Sequence, residues 1–196
     1  MGSTLVEIPY AFAVGLAFSV VFYPIVGVPS ISTGLLYWIS VSLFVLVETF
    51  LGQFLVYASP TLELATIAGV LINSFFLLFS GFNPPAASIP GVYKWCYYIS
   101  PHRFVLSVLV ALLFGDCSEE LTPSTPFMTS DRPIGCHTLE NAPLALGEIT
   151  VKGYIDKVYN FKYEDIWTHF ICTLCYIVAL RVLALFSLRF LTYQKR

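Results

Sequence analysis

Apolar residues in this chain gather into long runs rather than alternating or amphipathic stripes. Crossing a bilayer takes about 20 mainly apolar residues, and four runs have that length. Residues 8–28 and 64–82 contain no Asp, Glu, Lys or Arg; 35–59 contains Glu48 alone; 166–188 contains Arg181 and His169. A fifth run, 104–115, reaches only about 18 Å as a helix, which suits a re-entrant element. Between the third run and this short one lies FSGFNPPAASIPGVYKWCYYISPHRF, residues 79–104. Gly81, Pro84, Pro85 and Pro90 end the helix there, because proline lacks a donor and excludes helical geometry before it. Tyr93, Trp95, Tyr97 and Tyr98 with Lys94 read as an interfacial aromatic belt. Pro101 opens a second short helix, with His102 and Arg103 expected near headgroups. The pattern predicts an all-α integral membrane fold: four transmembrane helices, a re-entrant helical hairpin over 91–115, an extracellular loop over 116–165 and a tail over 189–196.

Composition agrees. The chain has 196 residues, 57% hydrophobic and 11% charged, against the roughly 25% charged share of soluble domains. Its formal charge of −2 gives no reason to expect a nucleic-acid partner. The start, MGSTLVEIPY, lacks a basic segment and leads straight into a span, so the first span is expected to serve as its own targeting signal.

Four spans place both termini on one side. Arg189, Lys195 and Arg196 lie close to the last span, whereas Arg132, Lys152, Lys157 and Lys162 are spread over the long loop. Charge density therefore favours cytoplasmic termini, although the raw count does not. Of five cysteines, Cys117 and Cys136 fall in the polar loop. On an oxidising face they would close a disulfide; the other reading is two unpaired thiols. No zinc-ligand spacing occurs, since Cys136 and His137 are adjacent and Cys117 stands apart, and Cys172 with Cys175 read as packing residues inside a span.

Inside the spans, Glu48 is the costly residue, and an intramembrane carboxyl is a functional candidate by default. Phe44, Leu51 and Gly52 on its own helix cannot pair with it, so its partner must come from another helix or chain. A proton relay or substrate contact competes with a structural, hydrogen-bonded carboxyl. Thr49, Gln53, Asn73 and Ser74 suit hydrogen bonds between helices. Arg181 is expected to snorkel toward cytoplasmic headgroups. On residues 64–82, Ile67, Val70, Leu71, Ser74, Leu77 and Leu78 share one helical face. Catalytic motifs are absent: no GxxxxGK[ST], no GxGxxG, no GxSxG, and no carboxylate pair placed for acid–base work. This chain is expected to be no enzyme, so any work it does must draw its energy from another domain.

Several segments together resemble a known family. EIPY at 7–10, FSGF with its Pro-rich turn, IPGVYKWCYYISPHRF, the cysteine-bearing loop with ITVKGYI, and LRFLTYQKR at the end are similar to the ABC-2 type membrane domain of ABC transporters. They are most similar to the G subfamily in its full-size, pleiotropic drug resistance branch, and the likeness covers nearly the whole chain. It implies the last four spans of the second membrane half, with ATP and Mg2+ bound by nucleotide-binding domains outside this sequence. It implies as partners those domains, the other membrane half, the lipid bilayer and a hydrophobic small molecule, exported across the plasma membrane by alternating access. Carried over by position, Val70, Ser74, Leu77 and Leu78 would face the substrate cavity, and Phe82 with Asn83 would form a plug. Asn83 departs from the bulky apolar pair usual there. The family also places re-entrant helices and a disulfide-bearing loop after this span. Two other readings remain: a truncated, non-transporting subunit that associates with full-length relatives, and proton-coupled carriage through Glu48.

Overall fold

The computed structural model describes residues 2–26, 30–115, 117, 134–139 and 149–190, with side chains from residue 6 onward. The predicted tail and much of the predicted loop lie outside them. Three helices are long and apolar enough to cross a membrane: α1 (Gly2–Val26), α2 (Ile31–Ala58) and α7 (Ile166–Phe190). α1 runs antiparallel to α2, and α7 runs parallel to it, as the contacts of Gln53 near the end of α2 with Glu7 and Arg181 require. One face of the molecule thus carries residue 2, the turn 59–61 and residue 190, here called the terminal side. The opposite face is the loop side.

The third predicted span is shorter than its apolar run. α3 (Leu62–Leu78) has 17 residues, about 25 Å against a hydrocarbon thickness of about 30 Å. Thr61 caps its start by accepting from the Leu64 N–H. The apolar sequence continues through Phe82, but Gly81 turns the backbone at φ +86°, where a side chain would be strained and a Cβ would meet the Tyr97 ring at 2.5 Å. Short turns follow at Ala86–Ser88 and Gly91–Tyr93, then α4 (Lys94–Ile99) and α5 (Pro101–Phe114). The segments before and after Ser100 meet at 78°, the broken geometry expected of a re-entrant hairpin. Ser100 is pushed out of helical geometry by Pro101, at φ −62° and ψ 120°. Its buried hydroxyl donates to the Phe76 carbonyl at 2.8 Å, tying the bend to the end of α3.

α2 is the hub. Leu43, Leu46, Val47, Phe50, Leu51 and Leu55 are buried against Ala11 of α1, Val108, Ala111 and Leu112 of α5, and Ile166, Phe170 and Leu180 of α7. Because α2 packs on several sides, it shows no single apolar stripe. Its hydroxyls turn inward: Ser40, Ser42 and Thr49 donate to the carbonyls of Leu36, Trp38 and Val45 on the preceding turn. Close approach of α1 rests on Gly15, where an added Cβ would lie 2.2 Å from Ser42 Oγ, and Trp38 Nε1 donates to the Phe12 carbonyl at 2.9 Å.

On the loop side, Cys117 and Cys136 form a disulfide with Cα atoms 5.3 Å apart. An antiparallel bridge pairs Thr138 with Thr150, and Thr150 caps α6 (Val151–Tyr154), which continues as one wider turn over Ile155–Tyr159. Asn160 stops that turn in the left-handed conformation at φ 57°, and Phe161 anchors it, 1% exposed.

Candidate functional site

α3 is bound to the rest of the molecule lightly and at polar points. Ala65 is its one buried residue among those described. The residues expected to face a cavity are open: Val70 is 66% exposed, Leu77 63% and Leu78 52%, and Ser74 is exposed beside them. The opposite side of α3 meets α2, where Ala68, Ile72 and Phe76 pack against the core.

At mid-depth the two helices are joined by the two intramembrane polar residues singled out above. Asn73 Nδ2 donates to Glu48 Oε2 at 2.9 Å. On its other side, Glu48 Oε1 stands 3.3 Å from His102 Nε2 at the start of α5. His102 is buried, edge-on to Phe44 and beside Phe76, so it does not reach headgroups as its neighbourhood in the sequence suggested. Arg103, one position on, points elsewhere, its guanidinium 4.1 Å from the Tyr97 ring centroid and 4.9 Å from that of Tyr98. Glu48 therefore links three elements: its own α2, the lightly held α3 and the re-entrant α5. A lone carboxyl is costly in an apolar interior; one amide donor and a nearby imidazole offset part of that cost.

Above this cluster, Phe82 stacks on Tyr159, with centroids 5.6 Å apart and planes within 16°. Tyr159 in turn meets Tyr154 and Phe161. Asn83 beside Phe82 is exposed and precedes a cis peptide to Pro84. The end of α3 is thus roofed by the segment that the disulfide-bearing loop delivers. Beneath that loop lies a polar cavity of about 410 Å³, lined by Lys152, Asp156, Lys162, Tyr163 and Glu164 with Gly115 and Cys117. Lys152 Nζ donates to the Cys117 carbonyl at 2.9 Å. Burial raises the Asp156 carboxyl above its usual range and Glu164 adds to this, while Lys152 and Lys162 oppose it.

A second polar group went unrecognised in the sequence. Gln53 Nε2 donates to Glu7 of α1, and Gln53 Oε1 accepts from Arg181 Nη1 of α7 at 2.5 Å. Arg181 does not simply reach for headgroups; its guanidinium is held there and lies 4.7 Å from the Phe50 ring centroid. Gln53 was legible as a hydrogen-bonding residue, but its partners lie 46 and 128 positions away, where no local spacing signals them.

An all-helical, multi-pass bundle with a broken hairpin and a loosely attached, cavity-type helix defines the membrane domain of a transporter. The chain belongs to the ABC-2 type transporter family, whose profile matches residues 1–114. It is 35% identical over 123 residues to ABC transporter G family member 37 of Arabidopsis thaliana, covering 62% of this chain and 8% of that protein. It is 25% identical over 199 residues to ABC transporter G family member 33 of the same plant, covering 100% of this chain and 12% of that protein. It is 22% identical over 197 residues to ABC transporter G family member 52 of Oryza sativa subsp. japonica, covering 100% of this chain and 12% of that protein. The chain therefore spans about an eighth of the length of relatives that it matches throughout.

Proposed function

We propose that this chain is the membrane-domain portion of an ATP-driven exporter that moves hydrophobic small molecules across the plasma membrane by alternating access. In this reading it forms the last four membrane segments of the second half of a full-size G-type transporter of the pleiotropic drug resistance branch. Both termini are cytoplasmic and the loop side is extracellular. Its partners are the other membrane half and nucleotide-binding domains that bind ATP and Mg2+. Val70, Ser74, Leu77 and Leu78 form one wall of the substrate path. Phe82, with Asn83 beside it, closes the outer end.

The observation that carries this reading is the state of α3. It turns an almost wholly apolar face away from its own bundle, yet is pinned to α2 by Glu48–Asn73 and to the hairpin by Ser100–Phe76. A helix held at such points can shift as a unit while its apolar face meets apolar cargo. In the complete transporter, Leu77→Ala and Phe82→Ala are expected to change export of hydrophobic compounds at unchanged surface abundance. Unaltered export of every compound tested would remove the assignment of this wall.

A further inference from the structure

Charge inside the bundle is sparse, which makes its placement informative. Glu7 is the single ionisable acid or base in α1, and Arg181 is the single one in α7 before Arg189. Each would be costly alone in an apolar setting. They are joined in series by the side chain of Gln53, whose amide offers a donor to the carboxylate and an acceptor to the guanidinium. Phe50, one turn back on α2, carries the face of the same guanidinium. α7 is thereby gripped by two residues of α2, and α1 by one.

Gln53 lies five residues beyond Glu48 on α2, which turns it about 140° around the helix. The two polar side chains therefore serve different neighbours: Glu48 faces α3 and the hairpin, and Gln53 faces α1 and α7. Burial divides the same way. α2 has nine buried residues and α3 has one among those described, so separating α3 disturbs the least packing.

We propose that Glu7, Gln53 and Arg181 form a latch fastening the terminal-side ends of α1, α2 and α7 into one rigid frame. The role of that frame, to stay fixed while α3 shifts, rests on the transport reading above. The latch itself does not. An amide is reversible in polarity: flipped by rotation about its last bond, Gln53 can join an arginine at position 7 to a glutamate at position 181. Packing alone has no such symmetry.

The test uses the complete transporter in lipid vesicles. Probes on exposed positions Tyr10 of α1 and Leu185 of α7 report the frame, and probes on Leu62 of α3 and Leu185 report α3 against it. Between nucleotide-free and ATP-trapped states the Tyr10–Leu185 distance is expected to hold while the Leu62–Leu185 distance changes. Gln53→Met, of similar shape, and the single reversals Glu7→Arg and Arg181→Glu are each expected to broaden the Tyr10–Leu185 distance and lower export roughly threefold to tenfold, the scale of an interhelical hydrogen bond or two. The double reversal Glu7→Arg/Arg181→Glu is expected to restore distance, export and any lost abundance to within about twofold of the parent. A double reversal no better than its worse single parent would overturn the latch, as would separation of Tyr10 and Leu185 on ATP binding in the unaltered protein. A static Leu62–Leu185 distance would overturn the moving role of α3, and with it the frame's purpose.

Discussion

Replacing Asn73 with leucine probes how α3 is held. The change removes the 2.9 Å bond to Glu48 Oε2 and leaves that carboxyl with His102 alone, at 3.3 Å. An interhelical hydrogen bond in a membrane protein averages about 0.6 kcal/mol and reaches about 1.7. A buried acceptor stripped of its partner costs about 1 to 3 kcal/mol. With little buried surface on α3 to compensate, the undocked population of α3 is expected to rise about tenfold, equivalent to about 1.4 kcal/mol. Ala65, 3% exposed, supplies the readout. Ala65→Cys, in a background without the free Cys96, Cys172 and Cys175, is modified by a thiol reagent only when α3 leaves α2, so its modification rate follows the open population. Asn73→Leu should raise that rate about tenfold. Glu48→Gln, which keeps an acceptor for Asn73, should raise it less than threefold, and Asn73→Leu added to Glu48→Leu should raise it little further. An unchanged rate in Asn73→Leu, or full additivity with Glu48→Leu, would refute the coupling. The same Glu48→Gln variant separates a structural carboxyl from a proton carrier, because only a carrier loses transport when its ionisable group is replaced with ATP still present.

Three further outcomes follow from the packing and the loop. Gly15→Ala forces a Cβ to within 3.1 Å of the Ser42 Cα as well as against its hydroxyl; overpacking of this kind costs about 1 to 3 kcal/mol, so the apparent melting temperature in detergent should fall, and Gly15→Ala/Ser42→Gly should regain most of it. Cys117 and Cys136 should resist alkylation until a reductant is added, and Cys136→Ser should remove roughly 3 kcal/mol of loop constraint, read as faster protease cleavage between residues 117 and 136. Asp156 binds its proton more tightly in the folded loop, because burial raises its carboxyl. Its contribution is therefore fully present below the ordinary carboxylate range and is lost as pH rises through the raised value. Protease resistance of the loop should decline over that window in the parent and stay flat in Asp156→Asn.

What could be read from the residues, and what could not, divides along physical lines. α1, α2 and α7 were visible because an apolar surround makes composition and length sufficient evidence for a crossing helix. The end of α3 was misplaced by four residues, since 79–82 is as apolar as the helix before it and only the left-handed Gly81 marks the stop. The bend at Ser100 was legible through Pro101, whose ring constrains the residue before it. His102 was misread because Arg103 beside it suggested a shared, wet environment; on a helix, neighbours diverge by about 100°, and here one meets Glu48 and the other two tyrosines. Glu48 announced that it needed a partner without saying which. Asn73 was noted as a bonding residue on a separate span, and only the packing of α3 on α2 joins them. Glu7, Gln53 and Arg181 were each visible as polar residues, but their meeting depends on three helices far apart in the chain.

The hub position of α2 has a consequence for synthesis. Its buried face is completed by α7, yet about a hundred residues separate the end of one from the start of the other. At about 5 to 20 residues per second, a ribosome needs roughly 5 to 20 seconds to produce that interval. During it, α2 lies in the membrane with Gln53 facing no guanidinium and Phe50 facing no cation. A chain stalled before α7 would therefore display a polar signal within the bilayer that the finished chain hides, and so would mark itself as incomplete.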